Sequence, residues 1–133
     1  MRKDRSVRKL ILIIEDDELL RSTIFDLLEL ADFNVISAED GRSGLNLARK
    51  IQPDLVLCDV NTSDIDGYRI LKQLRKNGTT SQMPFILLTS EYDPKIRSHA
   101  LGLGANDYLV KPLQLHQLLE AISKASQSAL IGK

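Results

Sequence analysis

The run Asp54-Leu-Val-Leu-Cys-Asp59 sets four apolar residues before a carboxylate, which is how a buried parallel strand delivers one reactive group to its carboxyl edge. Other runs end in matching chemistry. Leu10 to Ile14 meets Glu15-Asp16-Asp17, Phe85 to Leu88 meets Thr89-Ser90, and Tyr108 to Val110 meets Lys111, immediately before Pro112. Three carboxylates gathered in one place repel one another unless a cation joins them or some take up protons. An all-oxygen donor set without histidine selects a hard ion, Mg2+ before Zn2+ or Cu2+. Lys111 beside such an ion suits a ligand with developing negative charge, the requirement of phosphoryl transfer, and Thr89 adds a hydroxyl donor. Asp59, alone at its strand end, is the best-placed nucleophile, and a carboxylate can attack phosphorus to form an aspartyl phosphate. Taken by itself, the acidic triplet is also what a solvated helix start looks like. Lys111 at the same edge is what favours a site.

The elements that must bring these residues together follow from periodicity. Short apolar runs alternate five times with amphipathic stretches, the pattern of one α/β domain with a parallel sheet. Strands are expected at Leu10 to Ile14, Asn34 to Ser37, Leu55 to Cys58, Phe85 to Leu88 and Tyr108 to Val110. Between them, Leu20, Ile24, Leu27, Leu28 and Ala31 share one helical face; Leu45, Ala48 and Ile51 follow Asp40-Gly41; Ile70, Leu71 and Leu74 follow Asp66-Gly67. Asp93-Pro94 reads as an N-cap with proline at the first helical position, opening a helix that ends at Gly102 and Gly104. The last helix, about Gln114 to Ser128, is expected to bury Leu115, Leu118, Leu119 and Ile122. Right-handed crossovers would put every strand's carboxyl end on one edge, so Glu15, Asp16, Asp59, Thr89 and Lys111 should converge there.

Bulk composition excludes several alternatives. The 133 residues fit one domain, and no apolar run approaches the roughly 20 residues that span a bilayer. The basic start is followed by only five apolar residues, short of a signal-peptide core of about 7 to 15, so a cytoplasmic protein is expected. Cys58 is the single cysteine, which rules out an internal disulfide and reads as a small core residue. Residues 1–9 hold five basic groups and one acid, and the remaining 124 residues hold 13 basic and 17 acidic groups. That mildly acidic body argues against direct nucleic-acid binding, and without a spanning apolar run no membrane partner is expected. Residues 1–8 are expected to be a flexible basic tail, 9–128 the folded domain, and 129–133 a short tail.

Taken together, Ile-Ile-Glu15-Asp16-Asp17, Leu-Cys-Asp59-Val, Asp66-Gly67-Tyr, Leu-Leu-Thr89-Ser90 and Leu-Gly104-Ala-Asn-Asp-Tyr108-Leu-Val-Lys111-Pro112 resemble the receiver domain of two-component response regulators. The resemblance covers about residues 9 to 127. It implies a flavodoxin-like doubly wound (βα)5 fold of strand order 2-1-3-4-5, like that of the stand-alone chemotaxis regulators. It implies further that Asp59 is the phosphoacceptor, that Glu15, Asp16, Asp59 and the Asn61 backbone carbonyl hold Mg2+, and that Lys111 pairs with the phosphoryl group. In the family the peptide from that lysine to Pro112 is cis. Thr89 matches the switch hydroxyl and Tyr108 the aromatic that turns inward with it. Asn61 and Glu91 match positions that tune hydrolysis.

The chain departs from the family at Thr62-Ser63, where Met-Pro is usual, and a looser loop is expected there. Leu113 stands for a usual phenylalanine and Gln114 for a better cap, so the last helix is expected to fray at its start. Gln117, Ala121 and Ser123 stand where winged-helix regulators carry the charges of their receiver dimer, which argues against that dimer.

The resemblance implies a switch that accepts a phosphoryl group from a histidine kinase or phosphotransfer protein and alters binding to a downstream effector. Its own chemistry would be limited to Mg2+-dependent self-phosphorylation and slow self-dephosphorylation. No effector sequence follows the last expected helix, leaving stand-alone action, a relay step or a place in a larger protein. The alternative is a Mg2+-dependent phosphohydrolase of haloacid-dehalogenase type. That chemistry needs a second acid two residues after the nucleophile, and the residue is Asn61. A nucleotide-binding protein fits less well, because acids and not glycines follow the first strand.

Overall fold

Every expected strand forms. A computed structural model describes residues 8–131, with side chains to Gln127. The elements in order are β1 (Leu10–Ile14), α1 (Glu18–Leu30), β2 (Asn34–Ala38), α2 (Gly41–Ile51), β3 (Leu55–Asp59), α3 (Gly67–Lys76), β4 (Phe85–Thr89), α4 (Pro94–Gly102), β5 (Asp107–Val110) and α5 (Leu115–Ile131). All neighbouring strands pair in parallel, in the order β2-β1-β3-β4-β5. β3 and β4 are buried along their whole length, as strands covered on both faces must be.

Strand residues alternate between two apolar layers, because successive side chains leave a pleated strand on opposite faces. Ile11, Ile13, Leu55, Leu57, Ile86 and Leu88 pack with Ile24 and Leu28 of α1 and with Leu118 and Ile122 of α5. Leu12, Ile14, Val56, Cys58, Phe85 and Leu87 pack with Leu45 of α2, with Ile70, Leu71 and Leu74 of α3, and with Ala100 of α4. Truncating a fully buried member such as Leu71 to alanine costs about 2–5 kcal/mol in comparable cores. Close approach of α2 to β1 needs Gly44: a Cβ there would lie 2.5 Å from Ile14 Cδ1.

The helix starts are local. Asp17, Asp40, Asp66 and Asp93 each accept a backbone N–H of the first turn that they precede, two or three residues on, satisfying donors that a helix leaves unpaired. Four differences from the sequence reading have physical reasons. α5 runs to Ile131, past the expected end at Ser128, since nothing before Gly132 breaks a helix; residues 132 and 133 of the expected tail lie outside the described residues. Residues 1–7 of the expected basic tail also lie outside them, while Arg8 is largely buried and pairs with Asp32 at 3.5 Å. Ile51 is 45 % exposed, because α2 ends there and turns through Gln52 at φ 54°. Leu115, at the first turn of α5, is 40 % exposed, and Ala121 and Ala125 fill the interface instead.

Candidate functional site

The carboxyl ends of the five strands meet, and hydrogen bonds that continue past them fix the chain where the chemistry sits. Glu15 N–H donates to the Ala38 carbonyl (3.1 Å), Val60 N–H to Leu88 (2.8 Å) and Lys111 N–H to Thr89 (2.7 Å). Glu15, Asp59 and Lys111 are each two residues beyond a strand residue of the α1/α5 layer, so pleating brings all three to the same side of the sheet. Thr89 and Tyr108 belong by the same alternation to the α2/α3/α4 side.

Lys111 Nζ donates to Asp59 Oδ2 at 2.8 Å and lies 3.2 Å from Glu15 Oε1. The other Asp59 oxygen, Oδ1, accepts the Asn61 N–H at 3.0 Å. Glu15 Oε2 accepts the Asp17 N–H at 3.1 Å, whereas the buried Oε1 has the Lys111 ammonium as its ion-pair partner. One carboxylate oxygen from each of Glu15, Asp16 and Asp59 can be chosen so that all lie within 4.8 Å of one another. Glu15 and Asp59 are buried and Asp16 is exposed, so the cluster is open to solvent on one side.

The electrostatics follow from that crowding. Burial and the proximity of Asp59 push the Glu15 carboxyl up to about 7, against the Asp17 N–H and Lys111, which pull it down. Burial also works to raise Asp59, but the Lys111 ammonium and the Asn61 N–H outweigh it and hold Asp59 below the usual carboxylate range. Lys111 is held above its ordinary value, its partial burial offset by hydrogen bonding to Asp59 and the charge of both acids. One lysine thus serves two buried acids, leaving a site short of positive charge. A hard cation fits that deficit and the all-oxygen donor set.

Around the cluster the expected residues fall into place. Thr89 is buried, its Oγ1 accepting the Glu91 N–H at 3.2 Å. Tyr108 is buried, its hydroxyl donating to the Glu91 carbonyl at 3.0 Å. Asn61 and Glu91 are exposed, two residues beyond Asp59 and Thr89 respectively. The Lys111–Pro112 peptide is cis. In the loop after β3, Thr62 is buried and bonds the Ile65 carbonyl, and Asp64 accepts the N–H groups of Gly41 and Arg42 at 2.8 and 2.9 Å. Arg21 was not singled out from the sequence, yet its Nη1 donates to the carbonyl of Glu15 at 2.8 Å and reaches that of Asp16 at 3.5 Å, fixing the turn that carries both acids.

Residues 11–123 match the family model of the response regulator receiver domain. The chain belongs to this family. Among curated relatives, a probable transcriptional regulator ycf27 of Porphyridium aerugineum is 34 % identical over 125 residues, spanning 89 % of this chain and 51 % of that protein. The DNA-binding dual master transcriptional regulator RpaA of Synechocystis is 33 % identical over 112 residues, spanning 84 % of this chain and 46 % of that one. The receiver therefore spans about half the length of the curated relatives it matches. Among solved structures, the chemotaxis response regulator CheY4 of Vibrio cholerae superposes with a TM-score of 0.84 at 28 % identity, covering 90 % of this receiver and 99 % of that chain.

The family makes this receiver a signalling module of two-component phosphorelays, with the flavodoxin-like fold expected for it. The phosphohydrolase alternative finds no support among the relatives, and the second acid it needs is absent at Asn61. Among the described residues no helix is long and apolar enough to cross a membrane.

Proposed function

We propose that Asp59 accepts a phosphoryl group from the phosphohistidine of a histidine kinase or phosphotransfer protein. The observation that carries this reading is the Asp59 carboxylate held at 2.8 Å by Lys111 within a cluster that includes Glu15 and Asp16. The carboxylates of Glu15, Asp16 and Asp59, with the Asn61 backbone carbonyl, would hold Mg2+. When bound, Mg2+ supplies positive charge to the oxygens of the transferring phosphoryl group.

The chain's own residues do the rest. An Asp59 oxygen attacks phosphorus; the new O–P bond forms as the P–N bond to the donor histidine breaks, and the freed imidazole nitrogen takes up a proton. Lys111 Nζ exchanges the Asp59 carboxylate for a phosphoryl oxygen, keeping its charge paired throughout. The product carries roughly −1.5 to −2 added charge beside Lys111. The Thr89 hydroxyl is free to donate to a phosphoryl oxygen, and Tyr108 follows through Glu91, whose N–H donates to Thr89 and whose carbonyl accepts from Tyr108. Asn61 and Glu91, exposed beside the cleft, admit and orient the water that ends the signal.

The output is binding to an effector protein or domain, selected by a population shift of the α4–β5–α5 face. Direct nucleic-acid contact and a winged-helix-type receiver dimer are not part of this reading. The cytoplasm is the setting that fits a single, buried cysteine. Folded chain incubated with acetyl phosphate and Mg2+ should gain one phosphoryl group, and Asp59→Asn none. Phosphotransfer profiling of both proteins against the host's kinases names the donor. Labelling that persists in Asp59→Asn would refute the assignment, and steady turnover of a small phosphate ester would favour the hydrolase.

A further inference from the structure

We propose that Asp64 is a positioning residue for the phosphoacceptor site, tying the β3–α3 loop to the first turn of α2 so that the Asn61 peptide stays on Asp59. The inference rests on the reading of Asp59 just given.

The loop is a closed ring. Gly67 N–H donates to the Val60 carbonyl at 2.9 Å, and a Cβ on Gly67 would lie 2.7 Å from the Asp59 carbonyl oxygen. Inside the ring, buried Thr62 bonds the Ile65 carbonyl. On its near side the Asn61 N–H holds Asp59 Oδ1 at 3.0 Å. On its far side Asp64 spends both carboxylate oxygens on α2, Oδ1 on Gly41 N–H and Oδ2 on Arg42 N–H. These are donors that the helix itself leaves unpaired. α2 already has its own cap, Asp40, which accepts the Ser43 N–H at 2.7 Å. The first turn thus receives two carboxylates, one local and one from a loop more than twenty residues on.

The seat for the loop is shaped as well as charged. A Cβ on Gly41 would stand 2.4 Å from the Ile65 carbonyl oxygen and 3.0 Å from Asp64 Oδ1, so only glycine lets the loop approach this closely. The Arg42 N–H, with the other backbone donors around Asp64, draws its carboxyl down to about 2, so the tether stays ionised across the pH range of the chemistry. With Lys111 on Oδ2 and the Asn61 peptide on Oδ1, the orientation of the Asp59 carboxylate depends on where the loop stands. Asp64 fixes that position from outside the site.

The test separates loop position from helix stability. Wild type, Asp64→Ala, Asp64→Asn, Asp40→Ala and Asp59→Asn, each as the full chain, are titrated with Mn2+ followed by electron paramagnetic resonance, and labelled with acetyl phosphate in Mg2+. Thermal melts run alongside. Outer partners of metal ligands commonly change affinity by 10–100-fold, so Asp64→Ala should weaken Mn2+ binding and slow labelling about 10-fold. Asp64→Asn, which keeps one acceptor oxygen, should fall between it and wild type. Asp40→Ala strips the other cap from the same helix; it should lower the melting point yet bind Mn2+ as wild type does. Wild-type affinity in Asp64→Ala overturns the proposal, as does an equal loss in Asp40→Ala. Should Asp64→Ala not fold, Asp64→Asn carries the same comparison. A wild type that neither binds Mn2+ nor is labelled overturns the reading of Asp59 itself, an outcome distinct from a wild type that does both and an Asp64 series that matches it.

Discussion

Thr89 and Tyr108 grip the two ends of one residue: the Thr89 hydroxyl oxygen accepts the Glu91 N–H at 3.2 Å, and the Tyr108 hydroxyl donates to the Glu91 carbonyl at 3.0 Å. They come from adjacent strands, β4 and β5, and the residue they share opens the loop into α4. Tyr108→Phe keeps the buried ring and removes one hydrogen bond, so the chain should lose about 1 kcal/mol in urea unfolding. Amide exchange at Glu91 to Asp93 should quicken at the same time. Unchanged exchange would mean that the loop is held by other groups.

Lys111 is the cation in hydrogen-bonding or ion-pair range of both Glu15 and Asp59. Lys111→Met should destabilise the metal-free protein by about 2–3 kcal/mol at pH 8, the range for losing hydrogen bonds to charged groups. Millimolar Mg2+ should return part of that loss, since a bound cation would stand in for the ammonium. A deficit indifferent to Mg2+ would argue that the acids do not share one cation site.

The Glu15 carboxyl sits at about 7 in the folded metal-free protein against an ordinary 4.5, pushed up first by burial and then by Asp59. A carboxyl raised on folding favours the folded state most where it is protonated. This contribution is therefore fully present below about pH 4.5 and is lost as pH rises to about 7. Divalent ion binding needs the deprotonated form, so Mg2+ should bind more tightly as pH rises through 7 and release a proton below it. Calorimetry in buffers of different ionisation enthalpy measures that proton, and Glu15→Gln should abolish it.

Arg75 joins two loops at the opposite edge of the sheet. Its Nη2 and Nε donate to the Gly104 carbonyl at 2.8 and 3.2 Å, and Nη1 reaches the Thr80 carbonyl at 3.4 Å. Gly104 takes φ +108°, and a Cβ there would meet Arg75 Nε at 2.9 Å. Gly104→Ala should cost about 1–2 kcal/mol from the backbone conformation alone. Arg75→Ala should cost about 2–3 kcal/mol through lost charged hydrogen bonds. Because the two residues touch, the double variant should lose less than the sum of both, and a strictly additive result would contradict the contact.

The convergence of Glu15, Asp16, Asp59, Thr89 and Lys111 was readable from residue order, because a buried parallel strand is a short apolar run and its first polar residue marks the carboxyl edge. The strands themselves ran one residue further than their apolar cores in four of five cases, since Ala38, Asp59, Thr89 and Asp107 pair in the sheet without being strongly apolar. Arg21 and Asp64 are not legible in the sequence, for a common reason. Both act on backbone groups, Arg21 on carbonyls and Asp64 on N–H groups, and backbone partners leave no complementary residue type in the sequence to find. The Thr62 hydroxyl bond inside the β3–α3 loop is hidden on the same ground, since its partner is the Ile65 carbonyl.

The pleat that sends Glu15, Asp59 and Lys111 to the α1/α5 side and Thr89 and Tyr108 to the other makes the sheet a partition between two workshops. Substitutions in the layer of α2, α3 and α4 can accumulate while the acid cluster and its lysine keep the apolar neighbours of the other layer. The same sheet that gathers both sets of side chains at one edge thus lets each apolar layer drift in composition on its own.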